Sequence, residues 1–451
     1  MKNSQETICA LATPNGIGAI GMIRLSGKES WSIASKVFSK PLETAISHTT
    51  HFGIISNDKG ELIDEVLINV FAEGKSFTGE QSAEISCHGS PYIQQQIIQE
   101  LLKVGGRMAE PGEFTQRAFL NGKMDLSQAE AVADLIASQS KSAHGIALKQ
   151  LRGGFSNELK DLRTELMNFA SLIELELDFA EEDVEFADRT QLKKLVSDVL
   201  AHIKRLARSF ELGNAIKNGV PVAIVGAPNT GKSTLLNQLL GDERAIVSDI
   251  EGTTRDVIEE VLNIEGILFR LIDTAGIREG AEAIEAMGIE RSLEKIDQAS
   301  IVLCLADGSN QASLSEVSSW AEELSQKYED KKIFMVANKV DLTSGTSNEG
   351  IQISAKNGDN IDVLKSKLVD EVKGDFNMAN ETIVSNARHY DALIKTAVAL
   401  EKADEGLETQ VTADFVAMDI RQAMFELGTI TGDISTDDLL GNIFSKFCIG
   451  K

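Results

Sequence analysis

The segment Gly226–Ser233, which reads Gly-Ala-Pro-Asn-Thr-Gly-Lys-Ser, has the residue types and spacing of a phosphate-binding loop. Its glycines allow backbone N–H groups to close around a polyphosphate, Lys232 adds a positive charge, and the Ser233 hydroxyl can ligate Mg²⁺. The strand-like run Pro221–Val225 leads into this segment and a helical pattern follows it, which is the setting that such a loop requires. The sequence therefore predicts a nucleotide site.

Two later segments could bind the terminal phosphate and its magnesium ion. The polar segment Asp249–Asp256 contains threonine hydroxyls that can complete the Mg²⁺ shell once a γ-phosphate orders the loop. The apolar run Ile267–Ile272 is followed by Asp273–Gly276, Asp-Thr-Ala-Gly. Its aspartate can hold a Mg²⁺-bound water and its glycine N–H can reach the γ-phosphate. At this spacing the two segments predict a switch that responds to a nucleoside triphosphate.

The identity of the base is predicted by Asn338–Asp341, Asn-Lys-Val-Asp, which follows the strand pattern Ile333–Ala337. A carboxylate can accept two hydrogen bonds from guanine, from N1–H and the 2-amino group, whereas adenine offers no such pair. A site built in this way can reject an analogue that lacks those groups by about 10⁴-fold or more. With Ser354–Lys356 closing over the base, the sequence predicts GTP rather than ATP.

Hydrolysis requires a device other than the usual glutamine. The residue after Asp273–Gly276 is Ile277, which cannot orient a hydrolytic water. A monovalent cation beside Asn229 could act where an arginine finger does, or a carboxylate of the following helix could take part. Spacing alone does not choose among the carboxylates available there, which are Glu279, Glu282 and Glu285.

The pattern of apolar residues divides the chain into four regions, and their order predicts an α/β nucleotide domain inserted into a helical domain. The predicted boundaries are 1–120 for a first α/β domain, 121–212 for the first helical part, 213–379 for the nucleotide domain and 380–451 for the second helical part. Within the first region, strand patterns lie at 7–13, 17–26, 62–72 and 83–88, and helical patterns at 28–38 and 91–104.

Composition limits the classes of partner and the compartment. The chain of 451 residues carries a net charge of −25, and none of the four regions is basic overall. Composition therefore argues against nucleic-acid binding, and an RNA partner would need a local basic patch or a second protein. The cysteines have neither disulfide-framework nor zinc spacing. No apolar run reaches about 18 residues and no secretory signal is evident, so we expect a cytoplasmic protein.

Together with the nucleotide motifs, several other stretches resemble the MnmE (TrmE) family of tRNA modification GTPases. The resemblance runs from end to end, and other GTPases lack the N-terminal stretches and the Cys-Ile-Gly-Lys ending. The stretches that carry it are Ala12–Gly16, Ile23–Gly27, Ser76–Glu80, His88–Gly89, Pro111–Lys123, Asp125–Glu130, Gly252–Asp256 and Phe447–Lys451.

The resemblance implies an N-terminal α/β domain that binds folate and dimerises, a central helical domain, and an inserted Ras-like GTPase domain. It implies a homodimer with 5-formyl- or 5,10-methylene-tetrahydrofolate near the dimer interface, and a potassium-stimulated GTPase whose hydrolysis is driven by dimerisation of the GTPase domains. The family works with the flavoprotein MnmG. It installs an aminomethyl-type or carboxymethylaminomethyl group on carbon 5 of the wobble uridine in certain tRNAs.

The resemblance also implies residue roles, position by position. The folate contacts would be Arg24, Glu84, Lys123 and Lys451. The magnesium ligands would be Ser233 and Thr254, and the potassium ligands Asn229, Ser248, Ile250 and Thr253. Glu285 matches the carboxylate implicated in hydrolysis. The GTP-binding residues would be Asn229, Thr230, Gly231, Lys232, Ser233, Thr234, Ser248, Asp249, Ile250, Glu251, Gly252, Thr253, Thr254, Asp273, Thr274, Ala275, Gly276, Asn338, Lys339, Asp341, Ser354, Ala355 and Lys356.

Some features have two interpretations. Cys448 is either a packed small residue or a catalytic thiol beside the folate and tRNA chemistry, and His88 is more typical of a structural histidine. Gly16–Gly21 fits a dinucleotide fingerprint, but Met22–Ser26 reads as a strand, so no helix N-terminus would face a pyrophosphate. For the whole chain, the alternative is a regulatory GTPase switch that binds RNA or the ribosome without modification chemistry.

Overall fold

The computed structural model describes residues 6–178, 189–243, 260–272, 293–343, 350–374, 376, 381–409 and 412–450. The chain forms two compact units. The first comprises Met1–Ala133, Gln150–Met167 and Met424–Lys451, and the second comprises Asp134–Lys149 and Asn168–Ala423. The first unit thus joins the predicted N-terminal region to pieces of both helical regions.

The first unit contains a six-stranded sheet in the order β3-β4-β5-β2-β1-β6. Neighbouring strands are antiparallel except β1 and β6, which are parallel. Its strands are β1 (Ile8–Leu11), β2 (Ile20–Ser26), β3 (Thr49–Ser56), β4 (Leu62–Phe71), β5 (Ser82–His88) and β6 (Arg107–Met108).

The second unit contains another six-stranded sheet, in the order β12-β11-β10-β7-β9-β8. Its neighbouring strands are parallel except β8, which pairs antiparallel with β9 at one edge. Its strands are β7 (Val220–Val225), β8 (Glu260–Ile264), β9 (Ile267–Leu271), β10 (Ile301–Asp307), β11 (Lys332–Asn338) and β12 (Ile351–Gln352).

Helices flank both sheets and fill the helical regions. They are α1 (Ser30–Val37), α2 (Pro91–Lys103), α3 (Glu113–Leu120), α4 (Leu126–Ala137), α5 (Lys141–Leu151), α6 (Gly154–Asp178), α7 (Arg189–Asn218), α8 (Lys232–Glu243), α9 (Gln311–Lys327), α10 (Ile361–Lys373), α11 (Ala387–Glu408), α12 (Ala413–Thr431) and α13 (Asp437–Phe444). None of the helices in the described part of the chain is both long enough and apolar enough to cross a membrane.

The first sheet buries one face because its strands alternate between apolar and polar residues. In β4, Val66, Ile68 and Val70 are buried, whereas Glu65 and Leu67 are exposed. The buried face packs against the apolar residues of α1 and α2 in one core. The other face of the sheet is therefore available to carry a site.

The second sheet is buried on both faces, as parallel sheets usually are. Six consecutive residues of β10, Ile301–Ala306, are buried. One face packs against α7, α8 and α10, and the other packs against α9. Because the parallel strands β7, β10 and β11 run in the same direction, their carboxyl ends meet at one edge, where α/β proteins bind ligands.

The predicted fold class, α/β regions combined with helical regions, is confirmed. Helix α7 continues through Asn218, past the predicted boundary at residue 212, and the four domain boundaries stay predictions. The sequence patterns missed the edge strands β3 and β6. Strand β3 begins with Thr49-Thr50-His51 and contains Gly53, so its apolar alternation is weak. Strand β6 has only two residues, too few for any periodicity.

Candidate functional site

The phosphate loop leaves the end of β7 and runs directly into α8. A Cβ atom on Gly226 would collide with the carbonyl oxygen of Leu305 in the adjacent β10, so the close approach of these two backbones requires glycine. The first turn of α8 closes on the loop, where Leu235 N donates to Gly231 O at 2.9 Å. The loop therefore lies at a helix N-terminus, which favours an anion.

Lys232 lies over the loop that it would help to charge. Its Nζ donates to the carbonyl oxygens of Gly226 and Ala227, both at 2.8 Å. Burial lowers the pKa of the Lys232 ammonium below its ordinary value, and the charge of Lys295 lowers it further. A polyphosphate would supply the negative charge that this half-buried ammonium needs.

Asn229 and Thr230 shape the middle of the loop. Asn229 is exposed and has a left-handed backbone with φ of 64°, a conformation that asparagine tolerates better than most residues. Thr230 is buried, and its hydroxyl donates to Ala227 O at 2.9 Å. The loop is thus tied to itself while the Asn229 side chain stays accessible.

Asn338 joins the phosphate loop to the last base-recognition segment. It is buried, its Nδ2 donates to Thr230 O at 2.9 Å, and its Oδ1 accepts from Ala355 N at 2.9 Å. One side chain thus binds both Thr230, which is 108 positions earlier in the sequence, and Ala355, which is 17 positions later. Asn338 therefore fixes the relative positions of the two loops.

Asp341 is oriented by a buried serine. Ser354 is fully buried, and its hydroxyl donates to Asp341 Oδ1 at 2.6 Å. Asp341 itself is exposed, and among the described residues nothing donates to its Oδ2. Ser354 therefore orients the carboxylate that would recognise a base, and Lys356 lies exposed beside it.

A second site lies in the first unit, on the sheet face away from the core. Arg24 and Glu84 lie directly opposite each other on β2 and β5, and Arg24 Nε donates to Glu84 Oε1 at 2.9 Å. The Arg24 guanidinium carbon also lies 5.5 Å from the centre of the Phe77 ring. These residues border a cavity of about 190 Å³, lined by Arg24, Phe71, Lys75, Ser76, Phe77, Thr78, Ser82 and Glu84.

Lys123 contacts the loop that forms one wall of this cavity. Its Nζ donates to Gly74 O at 3.1 Å, and its stem lies against Gly79. The structure therefore places Arg24, Glu84 and Lys123, which are distant in sequence, around one cavity and its supporting loop.

Two family models match this chain. The first, "GTP-binding protein TrmE N-terminus", covers residues 7–123, and the second, "MnmE helical domain", covers residues 126–448. The tRNA modification GTPase MnmE of Flavobacterium johnsoniae is 55% identical over 99% of this chain and 100% of that protein. The protein of the same name from Cytophaga hutchinsonii is 54% identical over 100% of this chain and 98% of that protein.

The chain belongs to the MnmE (TrmE) family of tRNA modification GTPases.

As a member of the MnmE family, the chain is a GTP hydrolase. The loops at the carboxyl edge of the second sheet stay its predicted nucleotide site. A crystal structure of Aquifex aeolicus Era bound to GDP·AlF4⁻ is 28% identical over 40% of this chain and 66% of that chain, with a TM-score of 0.25. At that TM-score we draw nothing from the likeness.

Several predicted residues of the MnmE-type site lie outside the described residues. They are Ser248, Asp249, Ile250, Glu251, Gly252, Thr253, Thr254, Asp273, Thr274, Ala275, Gly276, Glu285 and Lys451. Their predicted roles in binding GTP, Mg²⁺, K⁺ and folate and in hydrolysis stay predictions.

Sequence reasoning missed three residues that support the two sites. Asp307 ends β10, and its Oδ2 accepts from Lys339 Nζ at 2.7 Å. Lys75 lines the cavity. Arg117 is buried and donates to both carboxylate oxygens of Glu80, at 3.2 and 3.0 Å. A polar residue at the end of an apolar strand pattern could have indicated Asp307. Arg117 lies within the stretch Pro111–Lys123 that carries the family resemblance, but nothing there gives it a role, and no motif includes Lys75.

The C-terminal tail lies beside the first sheet. Cys448 is an exposed free thiol, and its carbonyl oxygen accepts from Gly112 N at 3.4 Å. Two residues later, Gly450 lies against the backbone of Leu11 at the end of β1. Leu11 pairs with Ile23, the neighbour of Arg24, so the tail reaches the strands that carry the cavity. A catalytic role for Cys448 stays a prediction.

His88 and the glycine-rich segment lie at neighbouring ends of strands β5 and β2. His88 Nδ1 lies 2.7 Å from Oδ1 of the buried Asp64, and His88 N donates to Asp64 Oδ2 at 2.8 Å. The segment Gly16–Gly21 leads into strand β2 rather than a helix, which confirms the rejection of the dinucleotide fingerprint.

Proposed function

We propose that this chain is a potassium-stimulated GTPase that acts with an MnmG-like flavoprotein in the cytoplasm. Together they would add an aminomethyl or carboxymethylaminomethyl group to carbon 5 of the tRNA wobble uridine, using a tetrahydrofolate one-carbon unit. The observation that carries this proposal is the Arg24–Glu84 cavity, because a GTPase that is only a regulatory switch needs no such cavity.

The cavity has the chemistry to hold a tetrahydrofolate. Arg24 uses both Nε and Nη2 on a single oxygen of Glu84, each at 2.9 Å. Among the described residues, nothing donates to the other oxygen, Glu84 Oε2, which is free to accept N–H groups of a pterin ring. Phe77 and Phe71 provide flat apolar walls, and Lys75 and Lys123 provide charge for carboxylates. The folate would supply the one-carbon unit, and Lys451 would join these contacts.

In the nucleotide site, Lys232 would neutralise the β- and γ-phosphates and Ser233 would ligate Mg²⁺ together with Thr254. The carboxylate of Asp341 would select guanine. Ile277 cannot orient the hydrolytic water, so hydrolysis would need another device. A K⁺ ion would stabilise charge in the transition state where an arginine finger does in other GTPases, and Glu285 would assist hydrolysis. The exposed side chain of Asn229, on its left-handed backbone, supports a cation ligand at that position. Ser248, Ile250 and Thr253 would complete the K⁺ site.

The proposed homodimer would form through the first unit. Phe52 and Leu67 face each other across β3 and β4 and are 56% and 45% exposed, and Ile54 is exposed beside them. Large exposed apolar patches mark interaction surfaces. Phe71, four residues after Leu67 on the same face of β4, lines the cavity. A dimer through this face would bring the folate close to the interface, and the tethered GTPase domains could then dimerise to hydrolyse GTP.

The proposal is tested by deleting the protein from its host and analysing the wobble nucleosides of bulk tRNA by mass spectrometry. We expect the aminomethyl-type nucleosides to disappear and the wild-type gene to restore them. Glu84→Gln should hydrolyse GTP at the normal rate yet fail to restore them. The matched variant Glu43→Gln, at an exposed position of the same unit outside the sheet, should restore them. An unchanged nucleoside profile after deletion would favour the regulatory switch instead.

A further inference from the structure

Asp307 lies at the carboxyl edge of the second sheet, between the phosphate loop and the base-recognition segment. It is the last residue of β10 and pairs in register with Asn338, the last residue of β11. No sequence motif included it. Its position beside Asn338 makes it a neighbour of Lys339, the second residue of Asn-Lys-Val-Asp.

Both oxygens of the Asp307 carboxylate have partners. Oδ2 accepts from Lys339 Nζ at 2.7 Å, and Oδ1 accepts from Ser309 N at 3.0 Å and Ser309 Oγ at 2.6 Å. Burial opposes ionisation of Asp307, but the hydrogen bonds from Lys339 and Ser309 outweigh it, so the pKa of this carboxyl lies below its ordinary value. The carboxylate is therefore charged at neutral pH and held in one orientation.

The backbone around this ion pair is also constrained. Gly308 N donates to Asn338 O at 2.6 Å, which joins the ends of the two strands. Lys339 then takes a left-handed conformation with φ of 65°, and Asn338 is already bound to the phosphate loop through Thr230. The backbone of Lys339 is thus held in place, and the ammonium group at the end of its side chain is held by the Asp307 carboxylate.

We propose that Asp307 is a positioning residue for guanine-nucleotide binding, which acts by holding the Lys339 side chain as one wall of the base site. A lysine stem packs well on a flat ring when its ammonium group is satisfied elsewhere. Without a partner, the stem would be free to adopt many rotamers, and nucleotide binding would have to order them. Asp307 pre-organises that wall. Because its carboxylate acts through Lys339, which follows the base-recognition asparagine, it increases affinity without changing the chemical step.

The test is Asp307→Asn in the full-length protein. This change keeps an acceptor for Ser309 and removes the charge that holds Lys339. We expect GDP, measured with a fluorescent GDP analogue, to bind about tenfold more weakly, while kcat at saturating GTP stays within about twofold. The matched control is Glu371→Gln, which breaks the Lys332–Glu371 ion pair at the opposite end of β11 and should leave affinity unchanged.

A double-mutant cycle separates this role from general stabilisation of the fold. Lys339→Met keeps an apolar side chain without the ammonium group, so adding Asp307→Asn to it should cause no further loss of affinity. Asp307→Glu, which keeps the charge, should recover most of the affinity and also serves if Asp307→Asn folds poorly. The proposal would be overturned if Asp307→Asn bound GDP within twofold of wild type, or if its kcat fell as much as its affinity. It would also be overturned if the losses of affinity from the two substitutions multiplied in the double variant.

Discussion

At the scale of single residues, the side chains of the nucleotide site owe their geometry to partners in other motifs that are distant in sequence. Asp341 would recognise the base, but Ser354 sets the direction of its carboxylate and leaves Oδ2 available. Asn338 contacts two loops and fixes their spacing. Conservative changes at these positions should therefore alter specificity more than stability.

Asp341→Asn should shift the preference of the protein from guanine to xanthine nucleotides. An asparagine amide can donate to the C2 oxygen of xanthine, whereas it no longer accepts both N–H groups of guanine. Affinity for GDP should fall by roughly 10²-fold or more, and affinity for XDP should rise, as measured by competition binding. Asp359→Asn, an exposed aspartate in the adjacent turn, is the control. An unchanged preference for GDP would contradict the role of Asp341 in reading the base.

At the scale of elements, helix α3 supports the cavity through a partly buried ionic network. Glu113 at its start accepts from Arg107 and Arg117, and Arg117 continues to Glu80. Glu80 accepts from Ser26 Oγ at 2.7 Å, and that hydroxyl lies 2.6 Å from Thr78 Oγ1 on the cavity wall. The helix therefore positions the cavity loop by a chain of hydrogen bonds.

Glu113→Gln should destabilise the first unit by about 2 kcal/mol at pH 7. Burial raises the pKa of Glu113, but hydrogen bonds from Arg107, the Glu110 amide and Arg117 outweigh it, so the net pKa is lowered. A lowered pKa stabilises the folded state above the ordinary glutamate value of about 4.3, and this contribution is lost as the pH falls through the folded-state pKa. The difference between variant and wild type should therefore persist at neutral pH and shrink in acid.

The measurement is urea unfolding followed by the fluorescence of Trp31 in a Trp320→Phe background, so that only the first unit is observed. Glu110→Gln is the matched control, because that exposed residue contacts Glu113 through its backbone groups. A loss of stability that is the same at every pH would show that the charge of Glu113 is not its cause.

The C-terminal tail is a second element whose position can be tested. A Cβ on Gly450 would collide with the carbonyl oxygen of Leu11, and its φ of +95° disfavours any other residue. Gly450→Ala should displace the tail, lower wobble-uridine modification by about tenfold and leave GTP turnover unchanged. Gly441→Ala, in α13 with open space around it, is the control. Normal levels of the modified wobble nucleosides in the Gly450→Ala variant would show that the position of the tail does not affect the modification.

At the scale of the whole molecule, one chain carries the predicted GTP site in one compact unit and the proposed folate cavity in the other. Its net charge of −25 disfavours tRNA binding overall, which fits the proposal that a partner protein shares the binding. A dimer through the first unit would tether two GTPase domains at high effective concentration.

GTP turnover should be faster in KCl than in NaCl by about tenfold or more, because K⁺ would stand in for an arginine finger.

In the wild type, turnover per molecule should not depend on protein concentration, since the dimer tethers its GTPase domains. In Phe52→Glu, which places a charge on the exposed sheet face, it should become concentration-dependent. The control is Val363→Glu, at an exposed apolar position of the second unit. It serves both for the mass of the protein in solution, which reports the dimer, and for GTP turnover. Equal slow rates in both salts would exclude the potassium mechanism.

Prediction from sequence succeeded where the signal is local. The strands at Ile20–Ser26 and Ser82–His88 and the helix at Pro91–Lys103 lie within two or three residues of the predicted limits, because alternation and helical periodicity were strong there. The edge strand Thr49–Ser56 was missed because its pairing with β4, rather than its own composition, makes it a strand.

The nucleotide and the family follow from the residues alone, because each phosphate- or base-binding motif is a short contiguous segment whose side-chain types and backbone freedom define its ligand. Folding decides which distant residues meet. Arg24 and Glu84 are 60 positions apart, and Lys339 and Asp307 are 32 positions apart. Strand register joins both pairs: it places Arg24 directly opposite Glu84, and it places Asp307 opposite Asn338, the residue before Lys339. No local pattern encodes that register.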